Sequence, residues 1–154
     1  MLLHEISKIL TRREFISVAT CNFQGEPNAA PKFFLKIENN IIYLIDYAIG
    51  KTWENLKINP KASLSVSDPA TLKSYKINGK AEIIETGAEY DQIAEELTEK
   101  ELKLSVDRII EGVRQKKKHE NFPVGTSNKF VIFRIIIQQI TEIGHCGKLH
   151  REEI

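Results

Sequence analysis

Apolar and polar residues alternate along much of the chain, which is the pattern of half-buried β-strands. The clearest case is 61–67, where Ala62, Leu64 and Val66 alternate with serines. This alternation, or a run rich in β-branched and aromatic residues, predicts six strands. The strands are expected at 15–21, 28–37, 41–46, 61–67, 73–85 and 129–143. The fifth keeps its period of two across Asn78-Gly79, which favours a bulged strand over a hairpin turn there.

Helical spacing of apolar residues appears in three other places. Residues 2–10 predict a short amphipathic helix, and a second short helix is expected to begin at Gly50-Lys51-Thr52 and to stop at Asn59-Pro60. Residues 88–118 predict a pair of helical segments, and 144–154 form a polar tail that we expect to be flexible. Five strands with one inserted helix, a helical insertion and a returning strand predict one domain, 1–154, built on a small closed antiparallel barrel.

Composition and charge exclude several classes of function. The chain has 154 residues and a net charge of +1, so it lacks the strong positive field of many nucleic-acid-binding proteins. Its two cysteines form no disulfide framework, which suggests a reducing compartment. No signal peptide is apparent, and the apolar run 130–137 is too short to cross a bilayer. We therefore expect a cytoplasmic protein that binds neither membrane nor nucleic acid.

Two features suggest where a ligand binds. A helix that begins at Gly50-Lys51-Thr52 offers unpaired N–H groups, a lysine charge and a hydroxyl, which together suit a phosphate. The alternative is an ordinary solvated helix start, and the earlier glycine of a Walker loop is missing. Pro31 lies inside the second predicted strand and cannot donate to a ladder, so an edge, a bulge or a gap in pairing is expected there.

Other residues admit a structural reading and a functional one. Trp53 is expected as a packing anchor, and Tyr47 and Tyr75 as core or interface residues. His145, Cys146 and His150 match no standard zinc spacing, so no metal site is predicted from them. The basic stretch 116–119 reads as a solvated helix end, with contact to an acidic partner as the alternative.

Four short segments in order resemble the flavin-binding split-barrel family related to pyridoxamine 5′-phosphate oxidase. They are Ile16-Ser17-Val18-Ala19-Thr20, Gly25 to Pro31, Lys51 to Leu56 followed by Asn59-Pro60, and Lys76 to Ala81. The resemblance implies a mainly β (α+β) fold, a six-stranded antiparallel split barrel with flanking helices. It covers the first half of the chain well and the insertion at 88–118 poorly.

The resemblance also implies a cofactor, FMN, bound at the interface of a homodimer. By position, the ring system would lie along Ala29, Ala30, Pro31, Lys32 and Phe33, and the phosphate near Asp46, Tyr47, Lys51 and Thr52. The expected function is an FMN-dependent oxidoreductase that acts on a small molecule with a nicotinamide or protein electron donor. A non-catalytic flavin or haem carrier is the alternative, and some relatives use a deazaflavin. The C-terminal tail lacks the arginine and histidine motif that grips the vitamin phosphate, which argues against vitamin B6 oxidation.

Overall fold

The structure, a computed structural model, describes residues 1–115 and 129–154. Within them lie helices α1 (Leu2–Leu10), α2 (Lys51–Ile58) and α3 (Ala88–Arg114), and a 3₁₀ turn at His145–Gly147. The strands are β1 (Phe15–Cys21), β2 (Pro27–Glu38), β3 (Ile41–Asp46), β4 (Lys61–Asp68), β5 (Lys73–Ile84), β6 (Val131–Ile143) and β7 (Leu149–Glu153). The predicted loop at 121–128 and the basic stretch 116–119 lie outside the described residues.

The strands form one antiparallel sheet that closes on itself. Their order is β3-β2-β1-β4-β5-β6-β7, and β3 also pairs with β6 along its whole length. β1 to β6 therefore make a six-stranded barrel, and β7 extends the sheet beside β6. The predicted split-barrel α+β fold is confirmed. Closure removes most of the strand edges that would otherwise template aggregation.

The barrel interior holds the core because alternate residues of each strand face inward. Val18, Leu64 and Ile77 are fully buried in one cluster with Phe34 and Phe133. α1 contributes Leu2, Ile6 and Leu10 to the same cluster, which its helical spacing predicts. Tyr75 belongs to the core and Trp53 packs against it, so the structural readings of both residues are confirmed.

A polar cluster joins α1 to the barrel. The Tyr75 hydroxyl donates to Glu5 Oε2 over 2.9 Å and lies 3.4 Å from Glu142 Oε2. Lys73 Nζ is 2.9 Å from Glu142 and 3.7 Å from Glu5. We call Glu5, Tyr75, Lys73 and Glu142 the Glu5 cluster. It links β5, β6 and the first helix through side chains of both charges.

Two sequence predictions were wrong at the C-terminal end and in the insertion. The tail is not flexible, because Leu149–Glu153 pairs with β6 and Ile154 N donates to Gln138 O over 3.0 Å. The insertion holds one continuous 27-residue helix, α3, where a helical pair was expected. β5 runs through Asn78-Gly79 without a hairpin turn, as predicted, but the bulge lies in its partner strand. Asn78 is opposite Gln139 and Gly79 is opposite Ile137, so the extra residue is Gln138 of β6.

The chain divides into two compact units, 1–85 with 130–154, and 86–129. The first contains the barrel, α1 and α2. In the second, α3 buries Ile93 and Leu97 and exposes an apolar stripe along its C-terminal half. That stripe consists of Leu102, Val106, Ile109, Ile110 and Val113.

Candidate functional site

The start of α2 presents the chemistry that the sequence predicts for an anion. As at any helix start, the first-turn N–H groups have no intrahelical acceptor, and Gly50 before them has no side chain to cap them. Lys51 is the first helical residue and its side chain is 51% exposed, with Glu54 3.7 Å away. An exposed pair of this kind contributes little. The lysine therefore remains accessible to a phosphate.

The turn that leads into α2 is strained. Ile49 adopts φ +46°, a conformation that β-branched residues rarely take. Its side chain packs against the core, and Asp46 Oδ1 accepts the Ala48 N–H over 3.1 Å. Strain of this kind clusters at functional sites, where the surroundings hold it in place.

Asp46 also forms a buried ion pair with Lys32. Lys32 Nζ lies 2.7 Å from Asp46 Oδ1, and the two side chains are 7% and 1% exposed. The second carboxylate oxygen, Oδ2, is buried without a hydrogen-bond partner in the described part of the chain. A buried acceptor without a partner is costly, so this oxygen suits an internal water that donates a hydrogen bond.

Two amide–hydroxyl pairs fix α2 against the first two strands. Asn28 Nδ2 donates to Thr52 Oγ1 over 3.1 Å, and Asn55 Nδ2 donates to Thr20 Oγ1 over 3.2 Å. Thr52 is only 1% exposed, and its hydroxyl is taken up by the bond from Asn28 of β2. A phosphate contact from Thr52 stays a prediction.

β2 separates the predicted ring contacts onto two faces. Ala29 and Pro31 are exposed on the outer face, whereas Ala30 and Lys32 alternate with them toward the barrel interior. Phe33 is buried by edge-to-face contacts with Phe15 (5.9 Å) and Tyr47 (6.2 Å). The outer surface at Ala29 and Pro31 is therefore the part of β2 that a flat ring could cover.

The reason that Pro31 is tolerated follows from the register. Phe34 N donates to Glu14 O, and Ser17 lies opposite Pro31, so Pro31 falls at a non-hydrogen-bonded position toward β1. β3 pairs with β2 only from Phe33 onward. The missing N–H of Pro31 thus points to an edge that no described strand covers, which is the first of the three predicted alternatives.

These residues fit FMN. The Lys51 ammonium and the first-turn N–H groups of α2 would hold its phosphate, whereas Asp46 is only 1% exposed and its predicted phosphate contact stays a prediction. Ala29 and Pro31 would face the ring system. Bound FMN supplies one- or two-electron redox chemistry, and the protein's part is to hold and tune it.

Sequence reasoning missed the polar contacts of this region, although it named Lys32 and Asp46 as site residues. Asn28 and Asn55 lie in two of the segments that carry the resemblance, but their part in positioning α2 was not predicted. The Lys32–Asp46 pair has one signal, since both residues interrupt otherwise apolar strands at inward positions. Among the described residues, no group of three or more His, Cys, Asp or Glu side chains could hold a metal ion. None of the described helices is long and apolar enough to cross a membrane.

The chain is similar in sequence to an uncharacterised protein of Methanocaldococcus jannaschii. The two are 34% identical over 87 residues, which cover 54% of this chain and 57% of that protein. The match thus spans little more than half the length of its curated relative.

Solved structures share the fold at lower sequence identity. A Clostridium acetobutylicum protein related to general stress protein 26, of the pyridoxinephosphate oxidase family, superposes with TM-score 0.66 at 17% identity, covering 99% of this chain and 94% of its own. A Nostoc punctiforme FMN-binding protein related to pyridoxamine 5′-phosphate oxidase gives TM-score 0.62 at 14% identity, covering 98% and 95%. A haem-binding protein of Mycobacterium smegmatis gives TM-score 0.62 at 17% identity, covering 97% and 56%.

A sequence model of one family matches most of the chain. That family is described as pyridoxamine 5′-phosphate oxidase, and the match runs over residues 2–124. With the barrel and the α2 site in place, the chain belongs to the pyridoxamine 5′-phosphate oxidase family.

Proposed function

We propose that this protein binds FMN and is an oxidoreductase for a small organic molecule, with a nicotinamide or a protein as electron donor. The observation that carries the proposal is the pairing of an accessible Lys51 at an uncapped helix start with the open edge of β2 at Pro31. The lysine at the helix start suits a phosphate, and the open strand edge suits a flat ring. The FMN-binding relative from Nostoc punctiforme supports the same cofactor.

We further propose that two chains form a homodimer with FMN at their interface. Ala29 and Pro31 leave the outer face of β2 flat, and Phe15 beside them is 54% exposed. A second copy on this face would exclude water from a bound ring, which strengthens polar contacts to the ring. We place the protein in the cytoplasm.

The first experiment titrates purified protein with FMN and follows quenching of flavin fluorescence. Saturable quenching with one FMN per chain is expected. Parallel titrations with haem and with a deazaflavin mononucleotide serve as comparisons, because both have a planar ring system. Tighter binding of either one than of FMN would overturn the choice of cofactor.

A second experiment separates the enzyme from a non-catalytic carrier. FMN-loaded protein is mixed with NADH or NADPH in a stopped-flow instrument, and the flavin absorbance is followed under argon and then on mixing with candidate acceptors. An oxidoreductase is expected to have its bound flavin reduced by the donor and reoxidised by the acceptor at catalytic rates. Flavin that binds tightly but stays oxidised with every donor would favour the carrier.

A further inference from the structure

A cavity of about 380 Å³ opens on the outer face of the barrel, and residues of β1, β4, β5 and β6 line it. Its volume is in the range of small-molecule sites. Ala19 of β1, Ser63 of β4 and Asn78 of β5 line it, and these three residues lie directly opposite one another across neighbouring strands. They form a row of short side chains, so the floor of the cavity is flat.

This row continues in both directions. Ala19 lies opposite Ala29 of β2, and Asn78 lies opposite Gln139 of β6. Within the row, Ser63 Oγ donates to Asn78 Oδ1 over 2.9 Å, which fixes both side chains. The cavity is therefore continuous with the surface of β2 that carries Ala29.

One end of the cavity carries positive charge. Lys61 lines the cavity, is exposed, and lies directly opposite Lys80 of β5, so both side chains project from the same face. Like charges directly opposite each other in a sheet are destabilising. In the described residues neither lysine has a carboxylate within ion-pair distance. An anionic group between them would relieve this repulsion.

We propose that this cavity, the Lys61 cavity, binds a small planar molecule that carries a carboxylate or a phosphate. The plane lies over the Ala19–Ser63–Asn78 row, and the anionic group lies at Lys61 and Lys80. Because the row leads to Ala29, such a molecule would lie beside the proposed flavin surface, as a substrate would. That last step rests on the proposed FMN function, whereas binding itself does not.

The test measures binding of benzoate and phenyl phosphate by isothermal titration calorimetry at low salt, with benzamide as the uncharged comparison. We expect both anions to bind, benzamide to bind at least tenfold more weakly, and Lys61→Gln to weaken both anions at least tenfold. The tighter of the two anions identifies the acidic group. Lys8→Gln on α1, an exposed lysine remote in sequence from the cavity residues, is the control and should bind like the wild type.

A variant that fills the cavity tests binding there without changing the charge of the protein. Ser63→Phe should abolish anion binding while circular dichroism shows an unchanged fold. Unchanged affinity in Lys61→Gln, or in a folded Ser63→Phe, would overturn the proposal. A change of oligomeric mass in Lys61→Gln with no change in anion affinity would also overturn it, since the cavity would then be a contact between copies.

Each titration is performed without FMN and again with FMN added. Anion binding in the absence of any flavin binding would retain the Lys61 cavity and reject the FMN proposal. Flavin binding with no anion binding, with or without FMN, would retain the FMN proposal and reject the Lys61 cavity.

Discussion

Lys51 and Thr52 are neighbours in the first turn of α2, yet their side chains occupy opposite environments. Lys51 is half exposed, whereas Thr52 is buried and bonded to Asn28. A helix start places successive side chains about 100° apart, so one reaches solvent while the next faces the barrel. The Lys51 ammonium can therefore reach a ligand in solvent, whereas Thr52 fixes the helix against β2.

Lys51→Ala should weaken FMN binding about tenfold or more, equivalent to ~1.4 kcal/mol. The reason is the loss of a charge-assisted hydrogen bond to the phosphate, worth roughly 1.5–3 kcal/mol. Fluorescence titration measures it. Lys57→Ala is the matched control, because Lys57 is in the last turn of the same helix with its ammonium over the Trp53 ring. Equal affinity of the two variants would place the phosphate elsewhere.

The Lys32–Asp46 pair makes a second prediction, about stability. Lys32→Met leaves a buried carboxylate without its cation and should cost about 3–5 kcal/mol of unfolding free energy. Adding Asp46→Asn removes that charge but keeps an acceptor for the Ala48 N–H, so the double variant should be more stable than Lys32→Met alone. Urea unfolding of the wild type, Lys32→Met, Asp46→Asn and the double variant measures the coupling energy between the two side chains. Purely additive losses would show that the pair contributes no coupling.

The sequence predicts the position of Lys51 at a helix start but not the contact between Lys32 and Asp46. Lys51 could be placed because Gly50 and Pro60 bracket a short helix, and the chemistry of a helix start is local. The Lys32–Asp46 contact could not be predicted, because it depends on the register of β2 with β3, which shifts between Phe34 and Lys36. A one-residue shift moves every side chain to the other face.

At the scale of elements, the Glu5 cluster decides how firmly α1 is held. The hydrogen bond from Tyr75, with Lys73 nearby, lowers the pKa of Glu5 below its usual 4.5. Burial, followed by the Glu5 and Glu142 carboxylates, raises the pKa of Tyr75 above its usual 10. Both shifts favour the hydrogen bond from a neutral tyrosine to an ionised Glu5.

Tyr75→Phe should destabilise the protein by about 1 kcal/mol at neutral pH, since Glu5 is partly exposed and its hydrogen bond is screened. A lowered carboxyl pKa gives stability that is complete above pH 4.5 and is lost as pH falls through the folded-state pKa. The difference between wild type and variant should therefore be constant near neutral pH and shrink below pH 4.5. Thermal unfolding from pH 3 to pH 8 tests this, and a difference that grows in acid would contradict it.

Elements with their own periodicity could be predicted, and elements that depend on a distant partner could not. β4 and α1 carry strong local patterns and match their predicted positions. β7 has a sequence of mostly charged residues, Leu149 to Glu153, and becomes a strand only because β6 extends beyond β3 and leaves its edge open. The apolar residues of 88–118 were divided into two helical segments, but no Gly or Pro lies between Leu97 and Leu102 to end the first.

At the scale of the molecule, the pairing of β3 with β6 closes the barrel. It joins Ile41–Asp46 to the beginning of Val131–Ile143, across the whole of α3 and the residues after it. No local pattern encodes a contact so distant in sequence. It could be anticipated only because closure protects strand edges that would otherwise pair with other chains.

The proposed homodimer gives the prediction that belongs to this scale. If FMN is held between two chains, flavin binding and assembly are linked, and each must stabilise the other. FMN-loaded protein should show a mass about twice 17.6 kDa by light scattering. On serial dilution, flavin fluorescence should rise over the concentration range in which the mass falls toward the monomer. Circular dichroism at each dilution checks that the barrel stays folded. FMN bound to a monomer, or an FMN affinity that does not depend on protein concentration, would place the flavin on one chain alone.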